Sequence, residues 1–124
     1  MRTVEDFTIV HATLDRPEQW GYVFDKMAAA ASLNYQKTRI CFFGHTHVPI
    51  AFIRDTAIRG CTYTKFRVEP DKQYFVNPGS VGQPRDDNSK AAYVIYDMDE
   101  NTVELRRLEY DIAVTQRKIR DGGL

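Results

Sequence analysis

The sequence has 124 residues, and 17 Lys+Arg balance 17 Asp+Glu to a formal net charge of zero. That balance excludes the basic field of a nucleic-acid-binding domain or of an anionic-membrane binder, and no apolar run approaches the roughly 20 residues needed to span a bilayer. Hydrophobic residues at 43% and charged residues at 27% describe a globular chain, one domain or part of one, and exclude a disordered one. The opening MRTVEDFTIV lacks the charged-then-apolar layout of a signal peptide, so a cytoplasmic location is the expectation. Cys41 and Cys61 are too few for a disulfide framework and lack zinc-site spacing; both read as reduced, Cys41 as a small buried hydrophobe.

Phe7–Val10 is a β-rich run that ends directly at His11. Ala12–Gln19 reads as a loop, in which Asp15 caps a helix and Pro17 sits in its first turn. Trp20, Val23, Phe24, Met27 and Ala31 then recur at helical spacing and predict an amphipathic helix fading near Asn34, helped by the four alanines from Ala28. Arg39–Phe43 and Pro49–Ile53 predict strands, Thr62–Val68 an extended segment, and Gln73–Val76 a short strand running into the turn Asn77–Ser80. The polar stretch Gly82–Lys90 is a loop. Ala92–Tyr96 and Thr102–Leu108 are strands joined by a hairpin at Asp97–Asn101. Asp111 caps a last helix through about Arg120, closed by Gly122 and Gly123. The order suits an α/β fold with a sheet covered by helices.

The three histidines, His11, His45 and His47, each follow an apolar strand-like run, where sheets present functional groups. In an extended backbone His45 and His47, two apart, project to the same side, and Gly44 permits a sharp turn before them. A metal site follows from that geometry. Residue type alone leaves His11 open between a ligand and a hydrogen-bonded surface residue. It also leaves His-x-His open to a metal site on another fold, such as a cupin-like one.

The string Phe43-Gly44-His45-Thr46-His47-Val48-Pro49 resembles the last metal-binding motif of the calcineurin-like metallophosphoesterase superfamily. The run Val76-Asn77-Pro78-Gly79-Ser80-Val81-Gly82-Gln83-Pro84-Arg85-Asp86 is similar to the signature of its small bacterial and archaeal branch, and Ile9-Val10-His11-Ala12 fits the upstream motif, with Ala12 where glycine is frequent. The resemblance runs from about Phe7 to the end of the chain. It implies the C-terminal half of a four-layer αββα sandwich, mostly antiparallel strands with flanking helices. It also implies a metal-dependent phosphoesterase that hydrolyses phosphomonoesters or phosphodiesters by a two-metal, bridging-hydroxide mechanism. His11 and His45 would then bind one metal and His47 the other. The ions would be manganese, iron, zinc or nickel, two per complete site. No catalytic residue beyond the metal ligands is identified.

The family's first half supplies an aspartate-x-histidine pair, a bridging aspartate and a glycine-asparagine-histidine run, none of which occurs in this sequence. The expectation is therefore a single partial domain over residues 1–124 that binds metal loosely and hydrolyses phosphoesters poorly or not at all when isolated. An uncovered sheet face would favour self-association or pairing with another chain. The alternative is a non-catalytic subunit or interaction module built on the half-fold.

Two readings stand for Asn77, Gly79, Ser80 and Arg85: a phosphate-holding group of backbone amides and a guanidinium, or a rigid turn. Trp20 and Tyr22 read as core or helix-face packing, and Tyr93, Val94, Ile95 and Tyr96 as sheet packing on both faces. Arg106, Arg107, Arg117, Lys118 and Arg120 read as a solvated surface.

Overall fold

The computed structural model of the chain describes residues 1–19, 21–81 and 90–109. It contains strands β1 (Arg2–Val4), β2 (Phe7–Ile9), β3 (Ile40–Phe42), β4 (Ile50–Arg54), β5 (Ile58–Cys61), β6 (Lys65–Arg67), β7 (Gln73–Asn77), β8 (Ala91–Asp97) and β9 (Thr102–Leu108), with helix α1 (Lys26–Leu33). Two sheets form, with orders β1-β2-β3-β7-β4-β5 and β6-β9-β8. Antiparallel pairing predominates, as expected, but the pairs β2–β3 and β3–β7 run parallel.

Alternation along the central strands builds two cores from one sheet. Cys41, Phe43, Phe52 and Phe75 point to the helix side and pack with Leu14, Val23, Ala29 and Leu33. Ile40, Phe42, Ala51, Ile53, Tyr74 and Val76 point the other way and meet Val68 and Val103 between the sheets. Helix, large sheet and small sheet are the three layers among the described residues. The predicted helix from Asp111 to Arg120, with Arg117, Lys118 and Arg120, lies outside them.

Two predictions shift. The helix starts at Lys26 and not near Trp20, because Asp25 is the N-cap and accepts a hydrogen bond from Ala28 N at 2.9 Å. Before it the chain is non-helical, so the predicted apolar stripe dissolves: Val23 is buried while Phe24 and Met27 are exposed. Asp15 does not cap this helix. It accepts from Ser32 Oγ, and Pro17 opens a single 3-10 turn, Pro17–Gln19. Strands β1 and β5 were not anticipated. Glu5, at a positive φ of 50°, turns β1 back on β2. Gly60 in β5 passes close against the Phe52 ring.

Long-range polar contacts lock the helix to the sheet. The amide of Gln36, just after α1, donates to the carbonyls of Arg39 and Tyr74 at 3.1 and 3.0 Å. Arg54 on β4 donates to the Leu33 carbonyl at the helix end at 3.1 Å, alongside Gln36 N at 3.2 Å. No helix among the described residues is long and apolar enough to cross a membrane. Both cysteines are unpaired, Cys41 buried and Cys61 exposed. Of the four residues expected to pack on both sheet faces, Val94 and Tyr96 pack between the sheets. Tyr93 and Ile95 face outward and are exposed.

Candidate metal centre

The parallel set β2, β3 and β7 ends on one side, and each strand runs into a residue singled out in the sequence: His11, the His45–His47 segment, and Asn77. The ladder carries past the strands. Val10 N donates to Phe42 O at 3.0 Å, and Gly44 N to His11 O at 2.8 Å. Phe43 N donates to Val76 O at 2.9 Å on the other side. These bonds place His11 beside Gly44 and His45 before any side chain is considered.

His11 Nε2 lies 3.1 Å from His45 Nδ1, a hydrogen bond in which one nitrogen donates and the other accepts. The spacing suits two ligands of one ion: nitrogens each ~2.1 Å from a shared ion and 3.1 Å apart subtend roughly 95°. His47 is not brought into this pair. Among the described residues, no three His, Cys, Asp or Glu side chains gather into one metal-holding group.

The backbone differs from the extended segment expected between the histidines. His45 and His47 both adopt left-handed conformations, with φ of 74° and 62°. Gly44 is not the residue that makes the turn. Two non-glycine residues in that region hold strain of about 1–3 kcal/mol each, which persists only where surroundings over-determine it. Between them Thr46 points inward and is buried.

Asn77 supplies the constraint. Its side chain is fully buried, and Nδ2 donates to Thr46 Oγ1 at 2.8 Å and, more weakly, to Gly44 O at 3.4 Å. Its Oδ1 accepts from Gly79 N at 2.8 Å, and its carbonyl accepts from the Tyr63 hydroxyl at 2.8 Å. Burial pushes the Tyr63 phenol above its ordinary range, with the Arg107 charge opposing, so it stays protonated to donate. Gly79 has φ of 88°, and a Cβ there would sit 2.8 Å from Pro49 and 2.9 Å from Ala92. The Ser80 carbonyl accepts from Ala92 N at 2.8 Å. Asn77–Gly79 thus forms a turn tied to the histidine segment through the Asn77 amide; Arg85 lies outside the described residues.

Tyr22 was expected in the core or on a helix face, but is exposed and stacks on the His45 ring at 4.1 Å between centroids, with planes 22° apart. The stack covers a face of the ring, and the His45 Nδ1 edge is directed at His11. The missed signal was a period of two: Tyr22 and Phe24 exposed about a buried Val23, inside a stretch also readable at helical spacing. Trp20 lies outside the described residues.

Residues 2–101 match the calcineurin-like phosphoesterase superfamily domain. The chain is similar to an uncharacterized protein of Methanocaldococcus jannaschii, 38% identical over 109 residues, covering 88% of this chain and 43% of the relative. It also resembles the crystal structure of a metallophosphoesterase from Sphaerobacter thermophilus, with 37% identity and a TM-score of 0.82, covering 96% of this chain and 50% of that one. The chain thus spans about half the length of the relatives it matches.

Proposed function

This chain belongs to the calcineurin-like phosphoesterase superfamily, and we propose that it forms the metal-binding C-terminal portion of a phosphomonoester or phosphodiester hydrolase. The observation that carries the reading is the 3.1 Å approach of His11 and His45 at the carboxyl ends of adjacent parallel strands. Divalent ions, when bound, would supply Lewis acidity at the phosphoryl oxygens and acidify the attacking water.

The chain's own part is to hold donors in place. His11 Nε2 and His45 Nδ1 must be unprotonated to ligate, and their spacing already matches one ion. Tyr22 fixes the plane of the His45 ring, and Asn77 holds Gly44 and Thr46, the residues on either side of His45. His47 would serve a second ion. Imidazoles combined with carboxylates suit manganese, iron, zinc or nickel. The carboxylates would come from polypeptide outside these 124 residues, docking beside His11. There an open apolar cavity of about 530 Å³ is lined by Met1, Ile9, Val10, His11 and Phe43. In this reading the 124 residues are one part of a larger domain. The unpaired thiols Cys41 and Cys61 fit a reducing, cytoplasmic compartment.

Calorimetric titration of the full chain with manganese, zinc and nickel tests this. One loosely bound ion is expected, lost in both His11→Ala and His45→Ala. A chain that binds no ion, or variants that bind as wild type does, would sink the metal-centre reading in favour of a non-catalytic module. Hydrolysis of an aryl phosphodiester by the manganese-loaded chain is expected to be slight. Substantial turnover abolished in His47→Ala would show that these residues suffice.

A further inference from the structure

The segment leading into α1 carries a feature that extends beyond the support Tyr22 gives His45. Val23 anchors it, 1% exposed in the helix-side core. The residues on either side point out: Tyr22 is 53% exposed and Phe24 65%. Their rings lie nearly parallel, 13° apart with centroids at 5.6 Å, and Tyr22 in turn stacks on His45. Single exposed aromatics are ordinary. Here two aromatic rings and an imidazole form a continuous, solvent-facing stack that starts at the metal centre. Just after it, the Asp25 cap pins the backbone, so the rings are mounted on a fixed edge.

We propose that Tyr22 and Phe24 form a stacking platform selecting phosphoesters that carry a planar aromatic group, a nucleobase or an aryl ring, next to the phosphate. The proposal rests on the reading of His11 and His45 as the metal centre. With phosphate at that centre, the platform begins beside it: the Tyr22 ring lies 4.1 Å from the His45 ring and the Phe24 ring 5.6 Å from Tyr22 between centroids. Aromatic faces accept any base or aryl ring without hydrogen-bond readout, so the selection is for planarity and not for sequence or substituent. Stacking uses the ring faces, while the edge nitrogen of His45 stays directed at His11.

Binding of phenyl phosphate, adenosine monophosphate and methyl phosphate to the zinc-loaded full chain, followed by calorimetry, tests the proposal. The two aromatic esters are expected to bind about tenfold tighter than methyl phosphate. In Phe24→Leu, which keeps apolar bulk without a ring and leaves the Tyr22–His45 stack in place, that ratio is expected to fall toward one, whereas Phe24→Tyr retains it. A merely structural role would lower all three affinities together and leave the ratio unchanged, which overturns the platform. Zinc-dependent binding of all three esters with equal affinity also overturns it, while sparing the metal centre. Failure of every ester to bind in the presence of zinc removes both readings. Tighter binding of adenosine monophosphate than of phenyl phosphate identifies a nucleobase as the favoured group, and the reverse identifies an aryl ester.

Discussion

Strands β3, β4 and β7 feed two cores, and the two are not alike. On the helix side Phe43, Phe52, Phe75 and Leu33 are sealed, none above 2% exposed, and Phe43 stacks on Phe75 with centroids 4.0 Å apart. Between the sheets Ile40, Ala51, Val76 and Val103 are sealed as well, but the large rim residues Phe7, Phe66, Val94 and Tyr96 are only partly buried. An apolar cleft of about 420 Å³ opens there beside Phe7, Ile9, Phe42 and Tyr96. The histidine segment follows directly from Phe43, so the candidate site is mounted on the closed core. The open core lies toward the side where the proposed partner polypeptide would dock.

The largest test of this contrast is a pair of truncations. Phe75→Ala is expected to cost about 4 kcal/mol, and Phe66→Ala, at the rim of the open core, about half that, because a partly exposed site relaxes more easily. Urea unfolding measures both, and equal costs would erase the distinction. Next is Asn77→Ala, which removes the partner of Thr46 and Gly44 on the two sides of His45 and should cost about 2 kcal/mol. Because it also frees the backbone at His45, metal affinity should fall with stability. Full metal affinity in a destabilised Asn77→Ala chain would detach the site from its support. Asp25→Ala removes the helix cap, with an expected cost of about 1 kcal/mol read as a lowered melting temperature. A larger loss would mean that the cap also holds the Tyr22–Phe24 edge.

The smallest effect concerns the thiols. Burial pushes the Cys41 thiol up to about 12, so it stays protonated in the closed core at ordinary pH. A disulfide reagent at pH 8 should therefore titrate one thiol per native chain, that of exposed Cys61, and two after denaturation. The sign of the linked effect follows. With its folded value raised, Cys41 adds stability that is fully present below the ordinary thiol range and is lost only as pH climbs toward about 12. No change from this group is expected between pH 6 and pH 8.

Much of the scaffold could be read in advance where a strand is long or its apolar residues cluster. β9 spans the predicted Thr102–Leu108, and β3, β4, β7 and β8 fall within a residue or so of expectation at each end. β1 was too short, and β5, with Arg59 and Gly60 inside it, too irregular to show a period; both exist because a neighbouring strand pairs with them. The helix start was misplaced because Tyr22, Val23 and Phe24 satisfy a period of two as well as one of 3.6, and the side chain of Asp25 settled the choice.

For the site, the sequence by itself determined which residue types are available, that each histidine follows an apolar strand, and the family to which those motifs point. The motif resemblance pairs His11 with His45, but residue order alone does not fix that they meet. That depends on the direction of each side chain after its strand ends, and so on φ at His45 and His47. An isolated segment would not favour left-handed values at two non-glycine residues. They are held here by a buried amide, Asn77, 31 residues along the chain from Thr46. A contact of that range is made only when β3 and β7 lie side by side, so the tertiary fold alone directs His45 toward His11.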